Sequence, residues 1–311
     1  MSFLGIDTSN YTTSTALMVG DEITQSKRLL PVKSGAVGLR QSDAVFHHTQ
    51  QLHSLYSELI KNADPSEIEA VGVSSRPRAV EGSYMPCFTV GMNAAGMIAD
   101  TLKIPLYEFS HQEGHIAAAV YSSGREELFE RSFIAFHVSG GTTEAVLVKP
   151  NEYGFDTELI AHTLDLNAGQ AIDRVGVMLG LDFPCGRELE KLALKYDGDV
   201  KVKPTLKEEN CCLSGLENLC EKMYKNNSSK EKISCFCLKY IEATLAAMTE
   251  ALLDKYGKLP LLYAGGVMSN SIIRKSFQNK YGAYFAEPEF SCDNAAGIAY
   301  LTSRKFKYGN T

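Results

Sequence analysis

Two histidines four residues apart, in His111-Gln112-Glu113-Gly114-His115, directly follow an apolar run at 104–109. If a helix starts there, imidazoles at i and i+4 lie on one face and can share a metal ion. Zincin-type proteolysis does not fit: Gln112 stands where H-E-x-x-H carries its general base, and Glu113 is displaced by one. The structural alternative is one capping and one core histidine. Two nitrogens leave a cation short of ligands, so a remote carboxylate has to join them. Asp293, in Ser291-Cys292-Asp293-Asn294, is the candidate, with a helix N-cap as its simpler role. The other histidines carry less information. His47, His48 and His53 fall on or beside an amphipathic segment and read as surface or core-edge residues, and His162 ends a strand.

Two glycine turns could hold an anion. Ser139-Gly140-Gly141-Thr142 lies between two apolar runs, and glycines there let backbone N–H groups approach phosphate without a Cβ in the way, although a plain hairpin turn uses the same residues. Gly265-Gly266 follows an apolar strand and precedes a helix, the place where helix N–H groups and dipole face a nucleotide.

These residues need a scaffold to position them, and the chain is long enough to build one. Its 311 residues suggest one large domain or two. With 44% apolar and 22% charged residues the composition is ordinary and globular, and no disulfide or metal is required to stabilise a core of this size. A net charge of −6 disfavours nucleic-acid binding by bulk charge; only local basic stretches, Lys201 to Lys207 and Arg304 to Lys307, remain. The longest uncharged stretch, Ser83 to Ala99, is shorter and more polar than the roughly 20 apolar residues a membrane span needs. No basic and apolar leader opens the sequence, and none of the eight cysteines forms a C-x-x-C pair, so a cytoplasmic protein with reduced thiols is expected.

The pattern of elements repeats. Apolar or β-branched runs at 3–7 and 13–19 flank the turn Asp7-Thr8-Ser9-Asn10, and runs at 133–138 and 143–148 flank Ser139 to Thr142. After the first hairpin come a strand at 23–29, a helix at 43–61, a strand at 70–74, a helix at 90–102 and a strand at 104–109. The second half has a strand at 155–162, helices at 170–179 and 188–195, and a surface excursion at 196–210. A long helix at 230–255 then presents Ile233, Cys237, Ile241, Leu245, Met248 and Leu252 on one face. Strands at 259–264 and 283–286 and a helix at 293–304 follow. Two α/β halves with a nucleotide cleft between them is the layout of the actin-like ATPase fold, and any two-domain α/β protein shares the periodicity. The expected division is 1–110 for the first half, 111–130 for a metal-bearing helical connection, and 131–311 for the second half with a helical insertion at about 165–230.

In their order, these segments resemble the TsaD family of tRNA threonylcarbamoyladenosine synthases, once described as O-sialoglycoprotein endopeptidases. The similarity runs from Gly5-Ile6-Asp7-Thr8-Ser9 to Cys292-Asp293-Asn294. His111 to His115 looks like the family's H-M-E-G-H, Val138-Ser139-Gly140-Gly141 like V-S-G-G, and Ala168-Gly169-Gln170-Ala171-Ile172-Asp173 like A-G-E-A-F-D. Gly180-Leu181-Asp182-Phe183-Pro184 with Gly186, Leu213-Ser214-Gly215-Leu216, and Gly265-Gly266-Val267 with Asn270 are similar to further blocks. The resemblance implies an acyltransferase, not a peptidase, that moves a threonylcarbamoyl group from its adenylate to N6 of an adenosine beside the tRNA anticodon. It implies iron or zinc on His111, His115 and Asp293. It places Ser139, Gly140, Gly141, Asp173, Gly186, Gly265, Gly266 and Asn270 around an adenine nucleotide or the adenylate, with or without Mg. Asp7 and Ser9, in the first turn, take the catalytic positions, Asp7 orienting a cation or water. The implied partners are tRNA and smaller proteins of the TsaB and TsaE type, with no membrane.

The sequence departs from the family near the chemistry. The family's E-T-S-C-D-E-T turn reads Asp7-Thr8-Ser9-Asn10-Tyr11-Thr12-Thr13, V-S-G-G-H-T loses its histidine to Thr142, and a glycine-rich A-G-P-G-L is replaced by Ser75-Arg76-Pro77-Arg78-Ala79. A paralogue that carbamoylates another acceptor, or a non-catalytic nucleotide-binding partner of a true synthase, is the alternative.

Overall fold

In the computed structural model, which describes residues 1–9, 11–31, 39–291 and 295–309, the chain opens with strands β1 (Ser2–Asp7), β2 (Thr12–Val19) and β3 (Glu22–Leu29). Helix α1 (Gln41–Ile60), β4 (Ile68–Arg76), α2 (Phe88–Leu102), β5 (Leu106–Ser110) and α3 (His111–Ser123) come next. Then follow β6 (Phe133–Val138), β7 (Thr143–Pro150), β8 (Phe155–His162), α4 (Ala168–Met178), α5 (Gly186–Ala193), β9 (Leu206–Lys207), β10 (Asn210–Cys211) and α6 (Gly215–Lys225). The last elements are α7 (Lys230–Tyr256), β11 (Leu261–Ala264), α8 (Ser271–Tyr281), β12 (Tyr284–Phe285) and α9 (Ala296–Gly309). Among the described residues no helix is long and apolar enough to cross a membrane.

The chain divides into two units. The first holds Met1–Arg131, Lys149–Thr157 and Glu289–Thr311. Its sheet has the order β3-β2-β1-β4-β5, with β1–β2 and β2–β3 antiparallel and β1–β4 and β4–β5 parallel. Leu4, Ile6, Leu17, Val71 and Val73 on one face pack with Leu52 and Leu59 of α1 and Ala95 and Ala99 of α2. The other face takes α3 and α9, which approach closely because their contact is made of glycine: a Cβ on Gly297 would lie 1.8 Å from the Gly114 carbonyl oxygen. Ile116 to Val120 are buried without a break, so α3 is a core helix rather than an amphipathic surface one.

That packing corrects the expected boundaries. The segment 111–130 is part of the first unit, and the chain end belongs there too, because the small residues of α9 bury against Gly5 and Gly114. His48 is also corrected. It is fully buried in line with Ala44, Leu52 and Leu55, and its Nδ1 sits 2.8 Å from the Thr13 hydroxyl.

The second unit, Ser132–Val148 and Glu158–Pro288, is built on a sheet of order β12-β11-β6-β7-β8. The β6–β7 pair is antiparallel, while β6–β11 and β11–β12 are parallel, so this sheet repeats the first unit's layout of hairpin followed by parallel crossovers. The six apolar positions expected on one face of α7 are all completely buried, each worth about 1.5–3 kcal/mol for the larger aliphatic side chains. Helix α6 was not expected. Only Leu216 and Cys220 of it are buried, too few to mark a helix in a polar stretch.

Candidate active site

Strand β5 runs into α3 with no intervening loop. Ser110 is the N-cap, its hydroxyl accepting from Glu113 N–H at 3.2 Å while the Glu113 carboxylate accepts from Ser110 N–H at 2.7 Å. This capping box occupies Glu113, the displaced acid of the histidine motif, in structure rather than chemistry. It also fixes His111 at the first helical position and His115 one turn later.

Asp7 ends β1 and meets that helix start. Its Oδ2 lies 2.8 Å from His111 Nδ1, its Oδ1 accepts from Ser9 N–H at 2.7 Å, and the Ser9 hydroxyl is 2.9 Å from the same imidazole nitrogen. Asp7 is 1% and His111 8% exposed. Thr8 pins the turn down, donating to the Cys87 carbonyl and accepting from Gly91 N–H, each at 3.0 Å. Neither Thr8 nor Ser110 was singled out in the sequence, although the S-x-x-E spacing of Ser110 and Glu113 was there to find.

A carboxylate on Nδ1 holds the proton there and leaves the Nε2 lone pair pointing outward. The two Nε2 atoms of His111 and His115 face each other 2.9 Å apart. Two lone pairs at that distance repel unless a proton or a cation lies between them. Two imidazole nitrogens converging on one point are donors of the kind that zinc and iron take. The donor set therefore fits a borderline divalent ion such as iron or zinc. Among the described residues no group of three or more His, Cys, Asp or Glu is placed to hold a metal. Asp293, the expected third ligand, lies outside the described residues.

The glycine loops belong to the second unit. Ser139 closes its own turn, the hydroxyl accepting from Gly141 and Thr142 N–H at 3.2 and 3.1 Å, and Gly140 and Gly141 are exposed. The N-terminus of α4 crowds onto this turn: Gly169 N–H donates to the Ser139 carbonyl at 3.0 Å, and a Cβ on Gly169 would lie 2.6 Å from Gly140 nitrogen. Gly265 joins them in a left-handed conformation, φ +100°, where a Cβ would meet the Val138 carbonyl at 2.2 Å. Ser139, Gly140, Gly141 and Gly265 are thus gathered at one end of the second sheet, and space is open beside Gly266.

Asp173 and Asn270 serve the framework, while Gly186, the first residue of α5, has open space beside it. One Asp173 oxygen accepts from Cys185 N–H at 2.8 Å, which fastens the residue before Gly186, and burial pushes the Asp173 carboxyl above its usual range. Asn270 caps α8, its Oδ1 accepting from Ile272 and Ile273 N–H at 3.1 and 3.2 Å; this leaves its NH2 group, not its carbonyl, for any ligand. The basic stretches separate. Lys201, Lys203 and Lys207 are exposed, whereas Arg304 stacks 3.8 Å from the Phe129 ring centre and Lys305 lies over Tyr107, so both are spent on packing.

The family model described as TsaD, tRNA N6-adenosine threonylcarbamoyltransferase, matches residues 21–300. A protein of that name from Bacillus licheniformis is 31% identical over 98% of this chain and 92% of its own length, and one from Bacillus subtilis 30% identical over 99% and 92%. Among solved structures, component A of the Acidaminococcus fermentans (R)-2-hydroxyglutaryl-CoA dehydratase superposes with a TM-score of 0.58 at 16% identity over 98% of both chains. HypF from T. kodakarensis does so at 0.60 and 12%, covering 99% of this chain and 47% of that one. The architecture is that of the actin-like ATPase fold.

Proposed function

The chain belongs to the TsaD family of tRNA N6-adenosine threonylcarbamoyltransferases, and on that premise we propose that it transfers threonylcarbamoyl from an adenylate to N6 of a tRNA adenosine beside the anticodon, in the cytoplasm. The observation that carries the reading is the Asp7–His111–His115 chain, whose two Nε2 atoms face each other and could share one cation. In the reaction a bond forms between N6 and the carbamoyl carbon, and the carbon–oxygen bond to the phosphate breaks. AMP leaves with that electron pair, and an N6 proton passes to the departing phosphate.

His111, His115 and Asp293 would hold iron or zinc, which when bound supplies Lewis-acid polarisation of the carbamoyl oxygen. Asp7 fixes the tautomer and angle of His111, and Ser9 supplies a hydroxyl beside it. In the second unit the exposed Gly140 and Gly141 and the open side of Gly266 would receive the adenine nucleotide, with or without Mg. A chain with a net charge of −6 would rely on partners of the TsaB and TsaE type to hold tRNA. No observation favours another acceptor or a non-catalytic role.

The test is to incubate the protein with threonylcarbamoyl-adenylate, those partners and unmodified tRNA, then digest the tRNA and look for the modified nucleoside. Absence of product with partners that activate a standard homologue would refute the function.

A further inference from the structure

Strand β4 does not end evenly. Its pairing with β5 shifts register between Ser74 and Arg76, so Phe109 opposes Ser74 and Ser110 opposes Arg76, with Ser75 left over as a bulge. Such bulges re-aim the side chain that follows them and recur beside active sites. Here the re-aimed residue is an arginine, and its strand neighbour is the N-cap of the helix that carries both histidines. The next residue, Pro77, gives its carbonyl to Gln112 N–H at 3.1 Å, so the segment is fastened to that helix at a second point.

Arg76 is partly buried, and its one hydrogen bond among the described residues is to a neutral group, the Ser75 hydroxyl at 3.1 Å. Among the described residues no carboxylate pairs with it. A half-desolvated guanidinium without an acidic partner is a site for a planar oxyanion, which it binds through two parallel N–H bonds. The donor brings such a group. In a threonylcarbamoyl unit the carboxylate carbon and the carbamoyl carbon are separated by three bonds, about 4 Å at full stretch. Arg76 pairs across the strands with Ser110, the residue that opens the histidine helix, so it stands beside that helix start, on the side from which a carboxylate this close to the carbamoyl carbon could be held.

From the bulge, the absence of an acidic partner among the described residues and the pairing of Arg76 with the helix N-cap, we infer that Arg76 is the donor-specificity residue of this chain, binding the amino-acid carboxylate of the carbamoyl donor. This rests on the transfer reading above. It also gives a role to Ser75-Arg76-Pro77-Arg78-Ala79, the segment that replaces the family's glycine-rich one.

The experiment compares wild type, Arg76→Gln and Arg76→Lys with two donors, threonylcarbamoyl-adenylate and the same adenylate carrying threonine amide. The expected result is a loss of about 10–100-fold in kcat/KM for the carboxylate donor in Arg76→Gln, partial recovery in Arg76→Lys, and equal use of the amide donor by wild type and Arg76→Gln. The KM for tRNA should not move. Unchanged donor kinetics in Arg76→Gln overturn the inference. So does a raised KM for tRNA with donor parameters intact, which would put the arginine on a tRNA phosphate. Should Arg76→Gln fail to fold, the wild type decides alone: no preference for the carboxylate donor over the amide overturns the assignment. Failure of the wild type on both donors refutes the transfer reading itself, and that result is told apart because it needs no variant.

Discussion

Replacing Asp7 by asparagine tests the histidine site at its buried end. The carboxylate has two acceptor oxygens and both are used, one by Ser9 N–H at 2.7 Å and one against His111 Nδ1 at 2.8 Å. Asparagine has one oxygen and one NH2 group. Whichever way the amide turns, one of the two donors loses its acceptor and faces another donor. Keeping the Ser9 bond sets the amide NH2 against Nδ1, which then has to give up its proton. The imidazole takes the other tautomer, and an N–H now points from His111 at the His115 nitrogen 2.9 Å away. That proton occupies the space the cation needs.

Loss of an outer partner of this kind costs roughly 10–100-fold in metal affinity, or about 1.4–2.7 kcal/mol at 1.36 kcal/mol per decade. The assay is competitive titration of zinc or iron against a chelator of known affinity, wild type beside Asp7→Asn, with thermal unfolding of both metal-free proteins as a control for folding. A dissociation constant within twofold of wild type, in a variant that folds, would refute the argument that Asp7 sets the His111 tautomer.

Other consequences follow from single contacts. Gly297→Ala places a methyl carbon against the Gly114 carbonyl and the Ala118 nitrogen, backbone on both sides, and should destabilise by at least about 1–3 kcal/mol in urea titration; an unchanged midpoint would show that α3 and α9 can part at no cost. Ser74 has a fully buried hydroxyl with no partner among the described residues, so Ser74→Ala should be neutral or stabilising by about 1 kcal/mol in the same titration, and a clear loss would reveal a bound water. Adenine nucleotide at about 100 times its dissociation constant should stabilise the fold by roughly 2.7 kcal/mol, with guanine and pyrimidine nucleotides inert in a thermal-shift series. Burial pushes Asp165 up, but hydrogen bonds from Ser214, Leu213 and Leu166 outweigh it and hold the carboxyl below its usual range. Its contribution is therefore complete above the unfolded value of about 3.9 and lost as pH falls through the lower folded value. Asp165→Asn should destabilise at pH 7 and much less at pH 2, and an equal effect at both would refute this.

What was legible in the sequence is what local spacing encodes. The long helix over 230–255 could be read because its apolar residues recur at helical spacing, and all six were found buried. The histidine pair could be read because four residues make one turn. What spacing does not encode is which distant segment meets a local one. Asp7 and His111 are 104 positions apart, and their contact exists because β1, β4 and β5 are adjacent in the sheet and α3 begins where β5 stops. The chain end joins the first unit, away from its neighbours in sequence, for the same reason. A small-residue run such as Ala295-Ala296-Gly297-Ile298-Ala299 shows that some backbone comes close, and only the fold shows that it is the backbone at Gly5 and Gly114. His48 looked like an edge residue because histidine is usually wet, yet its position in line with Ala44, Leu52 and Leu55 outranked its polarity, and Thr13 on the neighbouring strand supplied the hydrogen bond that burial demands. The same logic separates the glycines. Gly169 and Gly265 are held by contacts with backbone and tolerate no side chain, whereas Gly140, Gly141 and Gly266 face open space. The first pair shapes the loops and the latter three are free to meet a ligand, so a side chain added at Gly266 should block nucleotide while leaving the melting temperature of the free protein in place, and the same change at Gly169 should lower that temperature first.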